Sequence, residues 1–224
     1  MKQSIIKEFN NKSNMLYIFF GGINARIGMP PFEFYNSAKI IDENKVFVRD
    51  FSQSWYQSGL KGTSNNIQET VKCIEAIVHE IQPEHIFFVG NSMGGFAAIM
   101  FSELTNLGGI STSVIAFSPQ TFISSKLRRR YSDRRWRKQI TKMHIKNIFN
   151  RKMVLDLAPL LISNNLKRNI QIYIGKDDAL DVVHANHIKM YKGIKIHALE
   201  SGGHNVIKQL RDSGQLHKIM RINR

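Results

Sequence analysis

The chain predicts an α/β fold, a mostly parallel sheet of about six strands with helices in the layers on either side. Three observations carry this. Short apolar runs rich in β-branched and aromatic residues alternate with longer segments of helical periodicity. The runs end at glycines or small polar pairs, where a strand hands over to a loop. A length of 224 residues with 42% hydrophobic content supplies the core that one such domain, residues 1–224, requires.

Met15–Phe20 reads as a strand ending at Gly21-Gly22, and Phe32 to Ile41 as a helix after Pro30-Pro31. Lys45–Arg49 is a short strand running into Asp50. Ile67 to Ile81 carries Ile67, Val71, Ile74, Ile77, Val78 and Ile81 at helical spacing, with Asn65 or Asn66 as cap and Pro83 just past the end. A strand at His85–Val89 leads to a helix from Met93 to Leu104, and a strand at Ser113–Phe117 stops at Ser118-Pro119. Asn169–Ile174 is a strand ending at Gly175, Asp181 to Tyr191 a helix, Ile194–Leu199 a strand, and His204–Arg211 the start of a last helix. Strands alternating with helices imply right-handed crossovers. The segment from about 120 to 161 breaks the pattern. It has no strand signal and reads as two or three amphipathic helices, a cap over the carboxyl edge of the sheet.

That insertion also holds most of the charge. The chain carries a formal +15, and twelve Lys or Arg lie between Lys126 and Lys152, opposed by Asp133 alone. One reading is a solvated helical face. We favour another, a field that recruits an anionic acyl substrate or carrier, such as a coenzyme A thioester, an acyl carrier protein, an acidic glycan or an anionic membrane surface. Arg128, Arg129 and Arg130 are its candidate contacts. No nucleic-acid module accompanies the arginines, so nucleic acid is disfavoured. The one cysteine, Cys73, has no partner for an intrachain disulfide and reads as a buried thiol. The first residues contain no apolar h-region, and no run is long enough to span a bilayer. The expectation is a soluble, cytoplasmic protein with at most peripheral contact with an anionic membrane. No His, Cys or Asp cluster has metal spacing, and neither metal nor cofactor is expected.

The chemistry centres on Gly90-Asn91-Ser92-Met93-Gly94-Gly95. This is Gly-x-Ser-x-Gly between a strand and a helix, the context that a nucleophile elbow requires. So tight a turn strains the serine, and Gly90 and Gly94 have no Cβ to block the passage of strand and helix. A serine hydroxyl needs a base, a group orienting that base, and donors for an oxyanion. In open parallel sheets such groups gather beyond the carboxyl ends of the strands. There the sequence offers Gly175-Lys-Asp177-Asp178, then Asp181, then Gly203-His204. The order Ser92, acid, His204 is the one this chemistry uses on such sheets. Trp55, together with Tyr56, reads as pocket wall or core, and Asp50 as a structural partner of nearby backbone.

On these residues the chain resembles the α/β-hydrolase superfamily, over nearly its whole length apart from the insertion. The resemblance implies an acyl-serine mechanism with Ser92 as nucleophile and His204 as base. The acid often follows a strand-end glycine as Gly-x-x-Asp, which selects Asp178. Asp177 is the adjacent rival, and Asp181 is assigned to capping the next helix. The N–H after the nucleophile, Met93, is the implied first oxyanion donor. Gly22, after an early strand, is the second, with Ile23 as its alternative and as a substrate-facing residue. No signal in the sequence marks the opening antiparallel strands of the superfamily. The activity implied is cleavage of an ester or thioester. Acyl transfer uses the same site, and a non-catalytic binding protein that holds an acidic partner on its basic cap is the reading from another class.

Overall fold

The computed structural model describes residues 3–23, 32–148, 152–163 and 168–221. Seven strands form one sheet: β1 (Ile5–Glu8), β2 (Met15–Phe20), β3 (Asn44–Val48), β4 (His85–Asn91), β5 (Ser111–Phe117), β6 (Asn169–Gly175) and β7 (Ile194–Leu199). Their order is β1-β3-β2-β4-β5-β6-β7, parallel throughout except β1, which pairs antiparallel with β3. The six strands read from sequence are all present. The seventh, β1, corrects the expectation that no antiparallel strand opens the fold. Its four residues, Ile5-Ile-Lys-Glu8, are only partly buried and sit on an edge, so they carry neither a long apolar run nor a clean alternation.

The central strands are buried on both faces, and period-two alternation divides their side chains between two cores. From β2, Leu16, Ile18 and Phe20 enter one core and Tyr17 and Phe19 the other. The first core packs under α1 (Ile67–Ile81), α2 (Met93–Leu104) and α6 (Ala179–Ile188). The second packs under α7 (Val206–Asp212), α8 (Gln215–Arg221) and the segment at Phe32–Ile41. The apolar spacing there predicts a helix, and Phe34, Ala38 and Ile41 are indeed buried at that spacing, but the backbone is a run of turns ending in a single 3-10 turn, Ser37–Ile40. α1 begins at Asn66, whose side chain accepts from the Glu69 N–H, as a capping residue should.

Among the described residues between β5 and β6 lie three short helices: α3 (Ser125–Arg130), α4 (Arg137–Lys146) and α5 (Ala158–Ser163). Ile140 and Met143 of α4 and Leu157 reach the first core. Asn147 Nδ2 donates to Ser58 Oγ at 2.8 Å, and Val154 N–H donates to Gln57 Oε1 at 2.8 Å, fastening this stretch to the loop after β3. No helix among the described residues is long and apolar enough to cross a membrane.

Candidate active site

The register aligns the carboxyl ends of the strands. Phe20 stands beside Gly90, Asn91 beside Phe117, Phe117 beside Tyr173, and Gly175 beside Leu199. The chain therefore leaves β2, β4, β6 and β7 along one edge, and these four exits carry Gly22, Ser92, Asp181 and His204.

Ser92 sits between β4 and α2 at φ 53°, ψ −116°, a conformation that L-residues rarely adopt. The Ser92 N–H donates to Phe117 O at 2.8 Å, which helps hold the turn. The close passage of strand and helix explains both glycines. A Cβ on Gly90 would stand 2.0 Å from Gly94 O, and one on Gly94 would stand 2.1 Å from Phe20 O. No side chain fits at either place.

His204 follows β7 in a 3-10 turn, Gly203–Asn205. Its Nε2 lies 2.9 Å from Ser92 Oγ, and its Nδ1 lies 2.9 and 3.0 Å from the two carboxylate oxygens of Asp181. The acid facing the imidazole is thus Asp181, and this corrects the assignment of Asp178. Asp178 does the work given to Asp181. It is the N-cap of α6, and its carboxylate accepts from the N–H groups of Leu180 and Asp181. Asp177 is also engaged elsewhere, accepting from the Gly203 N–H at 2.8 Å. Asp181 lies in the first turn of α6, and side chains on a helix lean toward its N-terminus, here toward the edge where His204 arrives. The same terminus favours a negative charge.

Asp181 is fully buried. Burial alone would push its carboxyl up. The hydrogen bond and charge of His204, and then the hydrogen bond from Arg135, more than offset this and hold it below the usual range. Arg135 comes from the basic stretch, and its Nη1 lies 2.8 Å from Asp181 Oδ1. Sequence reasoning missed this residue, because nothing local distinguishes it from its eleven basic neighbours. Asp178, Asp181 and His204 offer atoms within 4.8 Å of one another, a grouping that could hold a cation. The Arg135 guanidinium already places a positive charge there, 3.7 Å from Asp178 Oδ1.

Met93 opens α2, so its N–H has no acceptor within the helix and is free in that respect for an oxyanion. Gly22 does lie beside Ser92: a Cβ on it would be 3.6 Å from Ser92 Cβ. Its N–H, however, donates to Glu33 Oε2 at 2.7 Å, while Glu33 Oε1 accepts from Asn91 Nδ2 at 2.8 Å. The second donor assigned to Gly22 is therefore occupied by the chain's own carboxylate, which leaves the alternative, Ile23. Burial raises the Glu33 carboxyl, only partly countered by the Gly22 and Asn91 hydrogen bonds.

Two of the substrate-facing residues expected from sequence have structural duties. Trp55 has no exposed surface and donates from Nε1 to Gln120 Oε1 at 2.8 Å, so it belongs to the core. The Arg128 guanidinium donates to the Arg135 carbonyl. Arg129 and Arg130 are exposed, and Ile23 is half-buried against the first core. Asp50 accepts from the N–H groups of Ser52, Ser54 and Tyr56, which is the backbone role read from sequence.

No protein-family model matches the chain, and no curated protein matches it in sequence. Solved structures do match in shape. A capsule O-acetyltransferase of Neisseria meningitidis serogroup A is 17% identical with a TM-score of 0.70, covering 96% of this chain and 91% of that one. MenH from S. aureus is 13% identical with a TM-score of 0.65, covering 98% and 97%. A lipase-esterase related protein from Clostridium acetobutylicum is 13% identical with a TM-score of 0.60, covering 97% and 98%. Similarity over the full chain at such low identity speaks to architecture: this chain has the α/β-hydrolase fold.

Proposed function

We propose that the protein cleaves an ester or thioester through an acyl-Ser92 intermediate and passes the acyl group to water or to an alcohol. The observation that carries this is the continuous hydrogen-bonded row Ser92–His204–Asp181. His204 Nε2 takes the Ser92 proton as Oγ attacks the acyl carbonyl, and the negative charge moves to the carbonyl oxygen. The N–H groups of Met93 and Ile23 receive that oxyanion. Collapse expels the alkoxide or thiolate, which leaves with the proton from His204 Nε2. A water or alcohol then attacks acyl-Ser92, gives its proton to His204, and the second collapse returns that proton to Ser92 Oγ. Asp181 holds the imidazole with its Nδ1 proton toward the carboxylate and stabilises the imidazolium formed in each step.

The insertion acts as a cap, and its exposed arginines attract an anionic or carrier-linked acyl donor. Acyl transfer is the second form of the same reading. It draws support from the similarity to the meningococcal O-acetyltransferase, a mutant of which is 16% identical to this chain and was solved in complex with CoA. The test is a panel of neutral esters and acyl-CoA thioesters, assayed with and without an added sugar alcohol. We expect turnover that falls at least about a thousandfold in Ser92→Ala. Product carrying the acyl group on the alcohol marks transfer, and free acid marks hydrolysis. Folded wild-type protein inactive on the whole panel, or as active after Ser92→Ala, overturns the reading.

A further inference from the structure

Asp181 is buried and has two oxygens to satisfy, and only one of its charged partners comes from the sheet edge. His204 Nδ1 spans both oxygens, and Arg135 Nη1 takes Oδ1 from the side of the basic insertion, 3.5 Å from His204 Nδ1 itself. A guanidinium stays charged at any working pH and has donors in a fixed plane, so it is a permanent anchor for a carboxylate. Arg135 is itself anchored. Its backbone N–H and its Nε both reach Asp133 Oδ1, at 2.9 and 3.3 Å, and Arg128 binds its carbonyl. Asp133 is buried, and its Oδ2 lies 3.2 Å from His184 Nε2. The Thr121 N–H donates to His184 Nδ1, so the neutral ring carries its proton on Nε2 and donates to Asp133. A polar chain, buried except at the half-buried Arg135 and His204, thus runs Thr121–His184–Asp133–Arg135–Asp181–His204–Ser92. It begins at Thr121, just after β5, passes through the basic stretch and ends at Ser92.

We infer that Arg135 is a positioning residue for the triad acid, so that the basic insertion completes the catalytic row as well as covering it. This rests on the acyl-serine reading above. Arg135 fixes the rotamer of Asp181, and through Asp181 it fixes the plane and tautomer of His204. It need not touch substrate. A residue that merely ties the insertion down would change stability and substrate binding, but not the behaviour of the imidazole.

The experiment pairs Arg135→Met with Asp181→Asn in a double-mutant cycle on a small neutral ester. Arg135→Met should lower kcat about ten- to a hundredfold, the scale of a charge-assisted hydrogen bond, with KM within about twofold. In the Asp181→Asn background the same change should cost less than about threefold. Arg135→Lys, which keeps the charge and loses the fork, should fall between. If Arg135→Met does not fold, Asp133→Asn loosens Arg135 from behind and should show the same kcat loss and the same disappearance with Asp181→Asn. A second readout needs no substrate. The downfield proton resonance of His204 Nδ1–H, assigned by its loss in His204→Ala, should shift in Arg135→Met. Silence on the ester panel with this shift present removes the acyl-serine reading and leaves the positioning role standing. An unmoved resonance, an unchanged kcat, or equal kcat losses in both backgrounds overturns the positioning role.

Discussion

At the residue scale, Asp178 and Asp181, at the start of α6, give a sharp contrast. Asp181→Asn leaves the shape intact but offers His204 Nδ1 an amide that can hold the wrong tautomer, and kcat should fall about a thousandfold or more. Asp178→Asn keeps a good N-cap and leaves Asp181 in place, so kcat should stay within about threefold and stability within about 1 kcal/mol. Parallel kinetics and urea titrations of the two variants check this, and the reverse ranking would reinstate Asp178. The facing pair Ser92 and His204 was legible in sequence because both are marked locally, Ser92 by flanking glycines and His204 by the loop before it. The carboxylate that faces the imidazole was not. Three aspartates lie within five residues, and only the path of the turn decides that the first binds Gly203 N–H, the second caps the helix and the third faces the imidazole. The same holds for Gly22, whose position was readable but whose N–H is taken by Glu33, eleven residues away. Contacts between distant chain segments leave no local mark.

At the element scale, the elbow works because β4, α2 and β2 approach more closely than any Cβ permits. Gly94→Ala would drive a methyl to 2.1 Å from the Phe20 carbonyl oxygen, and neither backbone can yield. We expect it to cost more than about 3 kcal/mol, beyond the range of ordinary substitutions, or to prevent folding. Gly108→Ala is the control. It meets nothing within 4 Å and bears only the strain of its φ of +57°, about 1–2 kcal/mol. Equal urea midpoints for the two would contradict the account of the elbow. Central strands and long helices were legible here because their burial imposes a period, as in β2 and α1. β1 escaped because a short, half-buried edge strand has almost no pattern. The segment at Phe32–Ile41 misled because its buried aromatics are placed by turns.

At the scale of the whole molecule, acid should loosen the insertion. Burial pushes Asp133 and Asp181 up, but their partners prevail and hold both below the usual 3.8. Each therefore stabilises the native state above pH 3.8, and the contribution fades as pH falls from there toward the native values. Glu33, raised by burial, has the opposite sign and gains stability as pH falls toward 4.5, while Glu69, held low first by the Asn65 N–H, loses stability in the same direction as the aspartates. The urea midpoint should drop as pH falls below 3.8, and less steeply in Asp133→Asn. Parallel curves would show that the Asp133–His184–Arg135 chain carries no such linkage. The charge of the insertion makes a separate prediction. Arg129→Gln with Arg130→Gln should raise KM for an acyl-CoA thioester, more at low salt than at high, and leave KM for a neutral ester unchanged. Equal effects on both substrates would remove recruitment as the role of those arginines. If Ser92 is activated by His204 and Asp181, a fluorophosphonate should modify it, and intact-mass analysis detects the adduct. One adduct, mapped to Ser92, should form rapidly on wild type, slowly on Asp181→Asn and not at all on Ser92→Ala. Folded wild-type protein that takes up no probe, or carries it on another residue, would overturn acylation at Ser92.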